Sequence, residues 1–397
     1  MFLDKVPLLG SQVIDLDRDE LKDRLLHHKY AAGEYTPLDM VFMPFWNACT
    51  NAFPRTISPN AITLSGCAAI CLIYVFIILM PTRHTWHFFM AAFCVFAGQT
   101  LDAMDGKQAR RLGVSSPLGA ILDHGVDACT MGILMLTVAR CLGPSGEFPN
   151  DLPIAVPVVL VVVSCFWLPH WNHMHTGKLE VGGVTEAQFL VGLFFLICGC
   201  FGEDFFRKET PFLSGWTRGE LLCYAVLAGA SMLSIYDIVT CLFASKDRVH
   251  TSFGYRLYTL MPLALLYSCA YFMDAALLKT GESSMGYVLH AIAIYFVLIA
   301  EHVLISNVVE ECYVNRACKA LMPLMLATAL VLVVPSAWVN TVMISCCIYG
   351  FLSFCKMAAT TLNDICEALD IYLVKLPPNA DINGDKQKET KKKSKQN

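Results

Sequence analysis

Charged residues are scarce in this sequence: Asp, Glu, Lys and Arg make up 16% of its 397 residues, against roughly a quarter in a soluble domain. So small a share cannot solvate the surface of a globular chain of this length, which excludes a soluble fold. A cleavable N-terminal signal is lacking as well. Residues 1–30 carry Asp15, Asp17, Arg18, Asp19, Glu20, Lys22, Asp23 and Arg24 and hold no apolar core of the required length. Targeting is therefore expected to come from the first spanning helix. The eighteen cysteines show neither metal-ligand spacing nor a disulfide framework. Most, such as Cys198, Cys200, Cys346 and Cys347, fall inside apolar runs and read as small hydrophobes of a bundle. No nucleic-acid partner is expected.

What is present is apolar length. Hydrophobic residues make up 56% of the chain. About ten segments approach the roughly 20 apolar residues that a membrane helix needs: about 59–81, 86–104, 117–142, 152–170, 186–202, 220–245, 257–277, 286–308, 320–339 and 341–362. Runs this long exclude barrel strands, so the expected fold is an all-α polytopic membrane bundle. Residues 13–30 space Val13, Leu16, Leu21, Leu25 and Leu26 at roughly helical intervals among charges, the pattern of a short amphipathic or solvated helix. Pro44-Phe45-Trp46-Asn47 carries aromatics of the kind that settle at the headgroup level. Ser58-Pro59-Asn60 reads as a helix start, with Ser58 as cap and Pro59 at the first helical position.

Loop charge orients the bundle. With a cytosolic N-terminus, the cytosolic loops hold Lys107, Arg110, Arg111, Lys178, Lys246, Arg248, Arg256, Arg316 and Lys319. The opposite loops offset Arg83, Arg207, Lys208, Arg218 and Lys279 with Glu147, Asp151, Glu203 and Asp204. The bias puts the N-terminus in the cytosol, and ten spans bring the C-terminus back there. The tail from Pro377, with Lys391, Lys392, Lys393 and Lys395, is expected to be disordered.

The chemistry lies in residues 102–127, where Asp102, Asp105, Asp123 and Asp127 sit at the ends of two consecutive apolar helices. Charges there are expensive unless compensated, so each is a functional candidate. Asp102 and Asp105 are three apart and Asp123 and Asp127 four apart, so each pair shares a helix face. A short loop makes the two helices antiparallel neighbours and lets the pairs converge. Two divalent cations would neutralise four carboxylates, and all-oxygen ligation favours magnesium or manganese over zinc. Such a two-metal clamp serves displacement at phosphorus. The plain alternative is a set of helix-end salt bridges to Arg110 and Arg111, which leaves the spacing unexplained. Gly106, Ala109, Gly119 and Gly125 leave the facing surfaces bare for close approach or a ligand, and Arg110 is placed to grip a diphosphate.

Asp102-x2-Asp105-Gly106-x2-Ala109-Arg110-x8-Gly119-x3-Asp123-x3-Asp127 resembles, at every defined position, the signature of the CDP-alcohol phosphotransferase family. Gly106-Lys107-Gln108-Ala109-Arg110-Arg111, Ser116-Pro117-Leu118-Gly119, Asp123-His124-Gly125, Pro44-Phe45-Trp46, Pro59-Asn60-Ala61-Ile62-Thr63 and His170-Trp171 look like its eukaryotic choline/ethanolamine phosphotransferase branch. The resemblance covers roughly residues 25–200 and extends further by span count. It implies that the sn-3 hydroxyl of diacylglycerol attacks the β-phosphorus of CDP-ethanolamine or CDP-choline, giving the phospholipid and CMP. It implies four metal-binding aspartates, with Asn60, Gly106, Ala109, Arg110 and Gly119 around the CDP moiety. It divides the chain into an interfacial segment 1–57, catalytic helices 58–203, remaining spans 204–365 and a basic tail 366–397.

The attacking alcohol must lose a proton, and His124, beside a metal ligand, is the natural base. In the branch that this chain resembles, the histidine works with a glutamate whose position Glu186 matches. The plain alternatives are a second role for His124 in bonding Asp123 or Asp127, and for Glu186 a helix N-terminal carboxylate. Ala120, Asn172 and Leu112-Gly113-Val114-Ser115 depart from the branch and leave headgroup choice open, although no metal ligand is lost. A sibling transferase using inositol or glycerol phosphate would favour an added basic pocket, which the sequence does not show. An ion-coupled transporter would place its carboxylates near the midplane within inverted repeats, and a dead paralogue would not need intact aspartates. The family works in the endoplasmic reticulum or Golgi on membrane lipids; Lys393 and Lys395 form a dilysine-like pattern. Many members pair as homodimers, though nothing in this sequence shows it.

Overall fold

The computed structural model describes residues 14, 16–27, 35–80, 82–143, 154–177, 179, 183–243, 252–280 and 285–383. Lys178, Lys246, Arg248, Glu147, Asp151 and the lysines from Lys391 to Lys395 lie outside these residues. Thirteen α-helices follow in order: α1 (Arg18–His27), α2 (Pro37–Ala52), α3 (Pro59–Tyr74), α4 (Thr85–Leu112), α5 (Pro117–Leu142), α6 (Ala155–Thr176), α7 (Val184–Phe201), α8 (Arg218–Leu242), α9 (Phe253–Thr259), α10 (Met261–Thr280), α11 (Met285–Val309), α12 (Val314–Val333) and α13 (Ser336–Leu369). Between α7 and α8 lies one addition to the all-α expectation, a small antiparallel hairpin of β1 (Glu209–Thr210) and β2 (Leu213–Thr217).

Eight helices among the described residues are long and apolar enough to cross a membrane, and α9 with α10, bent by 43°, make a ninth. The remaining expected span, 86–104, is the 28-residue α4, which carries Asp102, Asp105, Lys107, Arg110 and Arg111 towards its end. The chain nevertheless leaves and returns to one end of the bundle, because the Asn60 amide at the start of α3 donates to Leu373 O just after α13, at 2.8 Å. Helix α4 packs against α3 and α7 but is not among the helices that qualify as spans by length and composition. Its polarity reflects the chemistry that it carries.

Local signals set the boundaries. The Ser58 hydroxyl accepts from Ala61 N with Pro59 in the first turn, as the sequence predicts. Gly113 closes α4 in the left-handed conformation, φ 67°, where a side chain would be strained. Three residues later the Ser116 hydroxyl accepts from Gly119 N and Pro117 opens α5. This tight link folds α4 and α5 back as a hairpin. The core centres on α11: 89% of its most apolar stretch is buried, against α5, α6, α10, α12 and α13. A second cluster, including Ile73, Ala91, Val95 and Phe195, joins α3, α4 and α7.

At the far end, Glu203 takes ion pairs from both Arg83 and Arg207, so these two cations of the opposite loops are already matched. All eighteen cysteines are free thiols. Two expectations change. Trp46 does not face the headgroups; it is buried, stacked on Phe42, with the Lys107 ammonium 5.3 Å above its ring. The segment after Pro377 is ordered at least to residue 383: Asp381 N donates to Leu112 O at 2.9 Å and Arg55 Nη1 to Asp381 O at 2.8 Å. A buried carboxylate with an arginine partner holds that stretch where composition alone predicts disorder. Amphipathic α1 docks as well, burying Leu21 and Leu25 while its Arg24 guanidinium reaches Val309 O.

Candidate active site

The α4–α5 hairpin brings the aspartates together at one end of the bundle. One carboxylate oxygen from each of Asp102, Asp123 and Asp127 falls within 4.8 Å of the others, an arrangement able to hold a metal ion. Asp123 Oδ1 is buried with no hydrogen-bond partner, an acceptor left over in a setting where such groups are normally satisfied. All-oxygen donors, converged and partly orphaned, fit a hard divalent cation. Asp105 stands slightly apart from this trio. It is buried and accepts a hydrogen bond from the Thr63 hydroxyl of α3, which fixes one of its two oxygens. Thr63 was not singled out by the sequence reading. Its signal lay in the Pro59–Thr63 run, where a helix start four residues earlier sets which way the hydroxyl points.

The cations beside the cluster do not serve as its salt-bridge partners in the way that the plain alternative requires. Arg111 donates to Thr50 O and Phe53 O at 2.6 and 2.9 Å, closing the C-terminus of α2. Gln108 donates to Pro54 O and Ile57 O across the same linker. Arg110 stays exposed and folds over Gly106, where an added Cβ would lie 3.4 Å from its Nη1. Gly119 faces Asn60, whose Oδ1 would lie 3.4 Å from a Cβ there. Gly106 and Arg110 thus meet on the last turns of α4, and Gly119 and Asn60 meet between the starts of α5 and α3.

His124 projects from α5 towards α6. Its Nδ1 lies 3.9 Å from Asp127 Oδ2, and its ring packs edge-on to that of His170 with centroids 5.2 Å apart. His170 is held in turn by Phe166 at 4.8 Å, while Asn307 of α11 donates to its carbonyl. Glu186 lies in the first turn of α7 with a buried, unpartnered Oε2. The preceding residue anchors that turn: Thr185 O accepts from Gln99 of α4, and the Thr185 hydroxyl donates to Asp39 of α2. Asp39, like Thr63, escaped the sequence reading, because its partner is 146 residues away.

Residues 56–203 match the CDP-alcohol phosphatidyltransferase family, and they contain the whole aspartate hairpin, His124 and Glu186. The chain therefore carries a CDP-alcohol phosphatidyltransferase domain. It is similar to an uncharacterised CDP-alcohol phosphatidyltransferase class-I family protein 2 of Dictyostelium discoideum, 35% identical over 237 residues that cover 56% of this chain and 53% of the relative. It is also similar to cholinephosphotransferase 1 of Danio rerio, 31% identical over 197 residues covering 48% and 50%. Ethanolaminephosphotransferase 1 of Mus musculus is 29% identical over 225 residues, covering 52% and 55%. These matches span about half the length of the relatives.

Proposed function

We propose that this protein transfers phosphoethanolamine or phosphocholine from its CDP-alcohol to 1,2-diacylglycerol, yielding the phospholipid and CMP, at the cytosolic face of the endoplasmic reticulum or Golgi. The observation that carries this reading is the convergence of Asp102, Asp123 and Asp127 beside the orphaned Asp123 Oδ1. The relatives' names supply the substrate class.

Asp102, Asp105, Asp123 and Asp127 would hold two magnesium or manganese ions. When bound, such ions neutralise the carboxylates and stabilise charge on the attacking and leaving oxygens of a phosphoryl transfer. The protein's own residues do the rest. Asn60, Gly106, Ala109, Arg110 and Gly119 seat the CDP moiety, the exposed Arg110 fork suiting a diphosphate. His124 takes the acceptor's hydroxyl proton. Glu186, on a turn pinned by Gln99 and Asp39, assists at the same end.

Purified protein in mixed micelles, supplied with diacylglycerol, magnesium or manganese and competing CDP-ethanolamine and CDP-choline, should convert at least one of the two into phospholipid. Transfer of neither headgroup overturns the assignment.

A further inference from the structure

Two thiols meet at the end of the bundle opposite the aspartates. Cys141 is the next-to-last residue of α5, and Cys198 lies in the last turn of α7. Both helices begin at the aspartate end, so Cys141 stands about 27 Å along α5 from Asp123, nearly the thickness of a bilayer's hydrocarbon core. Both side chains are 0% exposed and pack in the second hydrophobic cluster, where the two thiols share a side-chain hydrogen bond. Cys67 and Cys71 are also hydrogen-bonded to each other, but they sit one turn apart on α3, where a bond would join a helix only to itself. Cys141 and Cys198 instead bridge two helices.

The helix ends that carry this pair are clamped together independently of the sulfurs. Glu203, just past α7, pairs with Arg83 and with Arg207, and the Arg207 guanidinium also donates to Gly143 O, just past α5. Gly219 N donates to Phe206 O at 2.7 Å, and a Cβ on Gly219 would lie 3.2 Å from Leu142 Cδ2, so the start of α8 closes the same corner. Phe194 and Phe206 stack there with centroids 4.5 Å apart. Charged groups gathered in this way mark the water boundary of the bundle, and the thiols lie just beneath it. Sulfurs already in contact between clamped helix ends need little backbone movement to bond.

We infer that Cys141 and Cys198 close to a disulfide that fastens the end of α5 to the end of α7. The inference rests on the cytosolic placement of the aspartates proposed above, which turns this end toward the lumen, where disulfides form and persist. The oxidant is a lumenal disulfide, R–S–S–R. One cysteine thiolate attacks it, giving a mixed disulfide and one R–S⁻; the second thiolate then attacks the cysteine sulfur of that mixed disulfide and expels the other R–S⁻. The two cysteines give up two electrons and two protons, and the protons pass to the departing thiolates as two R–SH. Complete burial places the exchange before α7 seats against α5, and afterwards shields the bond from reductants.

The test needs no variant. Membranes holding the full-length protein are lysed in excess maleimide, and the denatured, digested protein is analysed by mass spectrometry before and after reduction. A peptide pair linking Cys141 to Cys198 and split by reduction is expected, with Cys67 and Cys71 recovered as maleimide adducts. Recovery of Cys141 and Cys198 as adducts, or either one linked to a third cysteine, overturns the inference. Lys208, exposed between α7 and α8, reports the side that this end faces. In sealed cytosol-side-out vesicles a membrane-impermeant amine reagent should reach it only after permeabilisation. Free thiols with Lys208 shielded sink the disulfide and leave the orientation standing; free thiols with Lys208 labelled at once sink both. A linked pair in protein that transfers neither headgroup sustains the disulfide while the headgroup assignment fails.

Discussion

Gly125 offers a sharp test of how the bundle holds the aspartates in place. It lies between Asp123 and Asp127, two residues from each, and therefore on the face of α5 turned away from them. On that face sits Glu301 of α11: a Cβ built on Gly125 would lie 2.5 Å from Glu301 Oε1 and 3.2 Å from its Cδ, about 1 Å short of ordinary contact. The obstructing atom is the end of a flexible side chain, but a buried one with little open space to turn into. Glu301 is only 8% exposed, and α11 is backed by α13 where a Cβ on Gly350 would meet Ile294 and Tyr295 at 2.9 Å. Gly125→Ala should therefore carry an overpacking cost of about 1–3 kcal/mol. Part of that strain will move α5 and its carboxylates, and a displacement of about 1 Å costs on the order of 100-fold in rate.

The assay is turnover together with thermal unfolding of purified protein. Gly125→Ala is expected to lower turnover roughly 10- to 100-fold and to unfold a few degrees earlier. Combining it with Glu301→Ala removes the obstructing carboxylate and should return turnover to within about threefold of the Glu301→Ala single variant, since the strain is steric. Wild-type turnover in Gly125→Ala, or a double variant no better than Gly125→Ala alone, would refute the packing account.

Other expectations follow from the same contacts. Asp123→Asn should abolish turnover and His124→Ala should cut it severely; near-wild-type rates for either would remove that residue from the mechanism. Chelation should silence the enzyme, with magnesium or manganese restoring it, and Thr63→Val, which frees Asp105, should raise the metal concentration for half-maximal rate about 10- to 100-fold; an unchanged metal requirement would show that Asp105 needs no anchor. Truncation after Leu369 removes Leu373 O from Asn60 and Asp381 from Arg55, so the KM for CDP-alcohol should rise about three- to tenfold while that for diacylglycerol holds.

The helices and the catalytic hairpin were legible because their signals are local. A Gly-to-Ser-Pro link between two apolar runs dictates an antiparallel turn, and fixed spacing then puts four carboxylates on facing surfaces. What escaped reading is what the chain brings from afar. Asp39 meets Thr185 across 146 residues, and Asn60 meets Leu373 across 313. No periodicity or cap announces such partners. Trp46 misled for a related reason: an aromatic near a span looks like an interface anchor until the cation that covers it, Lys107, arrives from another helix.

The C-terminal segment shows how far composition can mislead. Asp381 lies only a few residues before a lysine-rich stretch, so averaged polarity predicts disorder throughout. Yet three backbone or side-chain bonds, to Leu112, Arg55 and Asn60, bind residues 373–381 along the end of the α4–α5 hairpin. Two of them reach elements of the site: Leu112 ends the helix that bears Asp102 and Asp105, and Asn60 faces Gly119. The same Asn60 amide that holds the segment is the group expected near the nucleotide. The last described part of the chain is therefore coupled mechanically to the end of the α4–α5 hairpin. On the proposed reading, that coupling is why truncation should raise the KM for CDP-alcohol and leave the KM for diacylglycerol unchanged.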